Sequence, residues 1–176
     1  MRLFVAVEIP EGVRAAVSGV VEPLRAAAPG LRWVAPERYH LTLVFLGSVE
    51  PARVEGVSAA VGQGCAGVAP FALAFDGRLG TFGRRVLWAG LEPSAALAEV
   101  ASRVTAALSR VVALPDGERE FRAHLTLARA GREPVRTALI RGVDGPAVAW
   151  DVSRLVLMQS ASGYSVVAAF PLVGDA

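Results

Sequence analysis

Val13, Val17, Val20 and Leu24 recur at the spacing that gathers side chains on one face of a helix, and a helix is predicted over 11–27. Moving 84 residues along the chain finds Leu97, Ala101, Val104 and Leu108 at the same spacing, and a second helix is predicted over 94–111. Each helix follows an apolar run that closes on an acid and a proline, "LFVAVEIP" and "RVLWAGLEP". Each is followed by another apolar run, "YHLTLVF" and "FRAHLTLAR". These four runs read as strands. Further strands are predicted at "PFALAFDG", "AWDVSRLVLMQ" and "YSVVAAFPL", where alternating or β-branched runs end in turn residues, and a third helix after Pro51. The result is an α+β protein whose strands form two related sheets.

The offset of 84 residues extends beyond the helices. It places Arg38 on Arg122, His40 on His124, Thr42 on Thr126 and Gly47 on Gly131, and upstream Leu3 on Leu87, Phe4 on Trp88 and Glu8 on Glu92. A chain of 176 residues fits one domain and carries no low-complexity linker, so residues 1–176 are expected to form a single compact domain with an internal repeat.

Composition narrows the function classes. Hydrophobic residues at 53% and charged residues at 19% argue for an ordered core. All 18 basic residues are arginine, yet the formal charge is only +2, which excludes the broad positive footprint of a sequence-independent duplex binder. Any anion site is therefore local. Cys65 is the sole cysteine, so neither an internal disulfide nor a cysteine metal cluster is available. Val57 to Phe75 is free of charge, but Gly62, Gly64, Gly67 and Pro70 interrupt it, which suits a turn rather than a membrane span. The opening apolar run is too short for a signal peptide. The expectation is a cytoplasmic protein with no membrane partner, and nothing demands more than a monomer.

Both histidines of the chain lie in copies of one tetrapeptide, HLTL at 40–43 and 124–127. In a strand, His40 and Thr42 share one face and Leu41 and Leu43 the other, and the same holds for His124 and Thr126. One such motif alone reads as a strand histidine with a structural hydrogen bond; two at matched positions read as a site. Two histidines are too few for the usual zinc set, and no Cys, Asp or Glu stands near either at ligand spacing, so no metal is expected. The G-x-S-x-G elbow, the P-loop and the dinucleotide glycine fingerprint are all missing. What remains is general acid–base catalysis by paired imidazoles, with threonine hydroxyls donating to an anion. That set suits displacement at a phosphodiester.

With these flanks, "RWVAPERYHLTLVFLG" and "FRAHLTLAR", the chain resembles the 2H phosphoesterase superfamily, and within it the RNA 2′,3′-cyclic phosphodiesterase, or 2′-5′ RNA ligase, family. The likeness also covers "MRLFVAVEIP", "LGTFGRRVLWAG" and "GYSVVAAFPL". It implies a pseudo-twofold fold of two lobes, with antiparallel sheets lining a central cleft and helices outside. It implies hydrolysis of an RNA terminal 2′,3′-cyclic phosphate to a 2′-phosphate without cofactor or metal, and RNA 3′ ends or small cyclic-phosphate nucleotides as partners. Carried over, His40 is the acid to the departing 3′ oxygen, His124 the base on water, and Thr42 and Thr126 are phosphate contacts. Arg129 is read as a phosphate or ribose contact. Phe45 and Tyr164 are read as flanking a base, with core packing as the competing role for each. Ala35 and Ala123 depart from the family pattern by replacing prolines, and the turn "SASGY" is short. Two other functions remain open: 2′-5′ ligation by the reverse reaction, and a non-catalytic RNA-end binding module.

Overall fold

Two antiparallel sheets carry the chain in the computed structural model, which describes residues 1–115, 121–161 and 163–175. Ser162 of the "SASGY" turn lies outside the described residues. In chain order the elements are β1 (Arg2–Glu8), α1 (Glu11–Ala27), β2 (Arg32–Trp33), β3 (His40–Ser48), α2 (Val54–Cys65), β4 (Phe71–Phe82), β5 (Val86–Leu91), α3 (Ala95–Ser109), β6 (His124–Arg129), β7 (Ala149–Val152), β8 (Arg154–Ser160) and β9 (Tyr164–Pro171). The first sheet has the order β3-β1-β8-β9, and the second β2-β6-β5-β4-β7. The α+β, two-lobed expectation holds.

The helices form where the apolar spacing places them. α1 buries Val13, Val17, Val21 and Leu24. Val21 completes the buried row in place of Val20, which is half-buried. α3 begins at Ser94, whose Oγ accepts the Leu97 N–H at 3.2 Å and satisfies one orphan donor of the first turn. α2 and α3 cross closely because position 64 is glycine: a Cβ there would lie 2.7 Å from Val104 Cα. One apolar core runs through all three helices and the inner faces of both sheets.

The segment read as a single strand, "AWDVSRLVLMQ", is two strands in different sheets. β7 pairs with β4 through Phe71–Val152 and Leu73–Trp150, whereas β8 pairs with β1 through Phe4–Met158 and Ala6–Val156. Ser153 separates them. The reason is burial: β7 alternates, burying Trp150 and Val152, while Leu155 to Met158 are all buried because both faces of β8 are covered.

Pairing also alters the alignment of the two halves upstream of the motifs. Phe4 lies opposite Phe45, but the residue opposite Arg129 is Val86, not Trp88. β5 is thus displaced by two residues on β6 relative to β1 on β3. A shift of two keeps every side chain on its face, so the hydrophobic pattern does not register it. The displacement decides what stands beside each histidine.

Candidate active site

The motif strands β3 and β6 are brought into contact where the two sheets meet. Both carry a bulge at the same place. Val5 and Ala6 of β1 face Val44 and Thr42, leaving Leu43 as the extra residue of β3. Leu87 and Trp88 of β5 face Ala128 and Thr126, leaving Leu127 as the extra residue of β6. A bulge of one residue reverses the alternation beyond it. Leu43 and Val44 are therefore both buried, as are Leu127 and Ala128, and the next residues, Phe45 and Arg129, return to the face of the histidines and threonines. Strict alternation would have put them among the leucines.

Each histidine is held in the same way. Nδ1 of His40 lies 2.7 Å from the Arg38 carbonyl oxygen, and Nδ1 of His124 lies 2.7 Å from that of Arg122. A carbonyl only accepts, so Nδ1 carries the proton in both rings and Nε2 is the nitrogen left to gain or lose one. The same two arginines act again through their side chains. Arg38 sits over the Tyr164 ring at 5.1 Å, and Tyr164 meets His40 edge-on at 5.1 Å. Arg122 sits over Phe82 at 5.1 Å, and Phe82 meets His124 edge-on at 4.9 Å. Phe4 adds a second wall to His40, at 4.8 Å. Trp88, the residue displaced by the shifted pairing, packs on Phe82 instead.

Burial is the first cause acting on both imidazoles, and it lowers the pKa of each below the ordinary histidine value. The hydrogen bond to the carbonyl of Arg38 or Arg122 opposes this. The Arg129 guanidinium then lowers both, and that of Arg122 lowers His124 further. Arg129 is thus a positive charge felt at both rings. Thr42 and Thr126 are half-buried, each on the same face of its strand as the histidine two residues before it.

The family profile of the 2′-5′ RNA ligase superfamily matches residues 10–163. The chain belongs to this superfamily. It is 35% identical to an RNA 2′,3′-cyclic phosphodiesterase of Geobacillus stearothermophilus over 97% of its own length and 57% of the relative's, so it spans little more than half of that protein. It is 31% identical to an RNA 2′,3′-cyclic phosphodiesterase of Archaeoglobus fulgidus, over 76% of this chain and 74% of the relative. Among solved structures, E. coli LigT complexed with 3′-AMP superposes with a TM-score of 0.77 and 26% identity, covering 97% of each chain. The phosphoesterase fold expected from the two motifs is the fold observed.

Within this superfamily member, the structure gathers His40, Thr42, Phe45, His124, Thr126 and Arg129 on the motif faces. Phe45 packs with Phe4, Ala6, Val156 and Met158, a small apolar cluster apart from the main core. Tyr164 is 40% exposed and lies against the Phe4 and His40 rings, outside the buried core. The sequence reading overlooked Arg38, Arg122, Phe4 and Phe82. The repeat itself flagged the two arginines, which it superposes. Phe82 left no such signal, because it comes from the end of β4 and reaches His124 only through the pairing of β4 with β5. Among the described residues no three His, Cys, Asp or Glu side chains gather as a metal site needs, and no helix is long and apolar enough to cross a membrane.

Proposed function

We propose that this chain hydrolyses the 2′,3′-cyclic phosphate at an RNA 3′ end to a 2′-phosphate, with the paired histidines as acid and base and no metal. The observation that carries the reading is the matched pair of imidazoles on touching strands, each with Nδ1 fixed on a backbone carbonyl and Nε2 free to exchange a proton. The activity named for the relatives supports the substrate class.

In the reaction, His124 Nε2 takes a proton from water as the water oxygen bonds to phosphorus. The bond from phosphorus to O3′ breaks, and His40 Nε2 delivers its proton to that oxygen. The products are a 3′-hydroxyl and a 2′-phosphomonoester. His124 ends protonated and His40 neutral, and exchange with solvent resets the pair. The Thr42 and Thr126 hydroxyls and the Arg129 guanidinium donate to the nonbridging oxygens, where charge builds up in the transition state. The same catalytic unit falls in one domain of two lobes, each contributing one motif.

The test is incubation of a short RNA ending in a 2′,3′-cyclic phosphate, in EDTA, with the terminus of the product identified. The expected product is a 2′-phosphate. Unchanged RNA held in a complex would make the chain a binding module, and a strand joined through a 2′-5′ bond would make it a ligase. Turnover lost in EDTA and restored by a divalent cation would overturn the metal-free mechanism.

A further inference from the structure

Arg129 is one end of a row of arginines that leads away from the histidines. It lies directly opposite Arg32 of β2, and directly opposed residues of neighbouring strands project from the same face. Arg32 and Arg132 then line an open groove of about 680 Å³, together with Pro29, Gly30 and Gly131. The turn residues Arg84 and Arg85 flank the row, since the Arg85 carbonyl accepts the Ala130 N–H and the Arg84 carbonyl accepts that of Val135. All five arginines are exposed, and among the described residues none forms an ion pair. Among the described residues Glu133 stands beside the groove, where its Oε1 accepts the Gly30 N–H at 2.9 Å. In a chain with a net charge of only +2, this is a marked concentration of positive charge.

Like charges placed side by side without partners cost stability unless an anion is shared among them. A single phosphate is too small for the task. Neighbouring strands are about 4.8 Å apart, and the row crosses β6, β2 and the loop beyond. A strand of linked phosphates has the right length and charge, and guanidinium forks suit phosphate oxygens. Chemistry sets which part of the substrate could reach the row. A cyclic phosphate ends its strand, so the remaining RNA leaves the cleft only on the 5′ side.

Resting on the function proposed above, we propose that Arg32 and Arg132 form a subsite for the phosphodiester backbone of the nucleotides preceding the cyclic-phosphate end. The chain then prefers oligonucleotide ends to mononucleotides. The subsite adds grip to the ground state and leaves the reacting phosphate untouched.

The experiment compares the wild-type chain with R32Q/R132Q, two exposed positions, with thermal unfolding as the control because Arg32 Nε donates to the Ala130 carbonyl at 2.9 Å. The substrates are a tetranucleotide and a mononucleoside, each bearing a 2′,3′-cyclic phosphate. For the tetranucleotide, KM is expected to rise about tenfold in the variant, as loss of two charge-assisted contacts implies. Its dependence of log KM on log salt should flatten by about 1.4, at roughly 0.7 for each single-strand phosphate contact. Mononucleoside kinetics should stay within about twofold of wild type on the same reasoning. Equal KM for the tetranucleotide in both proteins, or an equal loss on both substrates, would overturn the subsite. Should the wild type turn over neither substrate, the proposed function fails, and the subsite is judged by binding alone. Weaker, less salt-dependent capture of a 3′-phosphorylated tetranucleotide by R32Q/R132Q then supports it, and unchanged capture refutes it.

Discussion

Replacing each histidine with alanine separates chemistry from packing. A general acid or base contributes about 10² to 10⁴ in rate, or about 2.7 to 5.4 kcal/mol of barrier. The packing loss is smaller and unequal. His40 touches two rings, Phe4 and Tyr164, whereas His124 touches Phe82. At about 0.5–1.5 kcal/mol for an aromatic pair, His40→Ala should cost about 1–3 kcal/mol of stability and His124→Ala about half of that. For a domain of this size that is a fall in Tm of about 2–4 °C per kcal/mol, which leaves both variants folded at 25 °C. Turnover by both should therefore drop at least about a hundredfold while substrate binding changes little.

Because the two groups act in one transition state, the double variant should lose far less than the product of the single losses. Leaving-group chemistry then assigns the roles. An aryl phosphodiester needs little protonation at its departing oxygen, so it should partly rescue His40→Ala and leave His124→Ala slow. The assay is single-turnover kinetics on the cyclic phosphate and the aryl ester, with thermal unfolding as the control. Rescue of the His124 variant alone reverses the assignment. Wild-type turnover in either folded variant would refute the acid–base reading altogether.

Since burial, helped by Arg129, lowers the pKa of both histidines, the bell of kcat/KM against pH should peak below the ordinary imidazole value of about 6.5, and a peak above pH 8 would contradict it. The same lowering means that the unfolded chain binds more protons than the folded one below about pH 6.5; the stability this contributes is full above that pH and is lost as pH falls through the window, measurable by urea unfolding at pH 5 and 7.5. Gly80→Ala places a Cβ 2.2 Å from the Trp88 ring, which leans on Phe82 and so on His124; it should cost about 1–3 kcal/mol and lower kcat more than it raises KM, and unaltered kinetics would separate Trp88 from the site. Ser94→Ala removes the cap of α3 and should cost about 1 kcal/mol in urea unfolding with no change in kcat.

Local pattern decided which parts of the fold were readable in advance. α1 and α3 follow from apolar spacing over many residues, and both HLTL strands follow from alternation. The split at Ser153 was not readable, since only the partner strands distinguish a covered strand from an alternating one. The bulges at Leu43 and Leu127 were hidden for a related reason: the alternation of HLTL stops at Val44 and Ala128, but only the pairing with β1 and β5 distinguishes a bulge there from the end of a strand. Arg129 was singled out by its place next to the motif, but the bulge is what turns it toward the histidines. Phe4 and Phe82 reach the imidazoles through long-range pairing, which no window of sequence contains.

The repeat poses a chemical problem that the structure bears on directly. Two identical half-sites would give two histidines of equal basicity, yet the proposed mechanism needs one protonated and the other neutral. The halves differ at the position that each bulge turns inward, which is Phe45 in one and Arg129 in the other. They differ again at the arginine two residues before each histidine: Arg122 bears electrostatically on His124, whereas no such influence of Arg38 reaches His40. Burial disfavours a proton on either ring, so both favour the neutral form without substrate. A bound phosphodiester brings one negative charge between them, enough to stabilise one imidazolium. The proposed mechanism places that proton on His40, and the aryl-ester rescue of His40→Ala tests the placement. Departures from symmetry at a few side chains give the two rings different surroundings, while the repeated strands, bulges and carbonyl hydrogen bonds supply the geometry common to both.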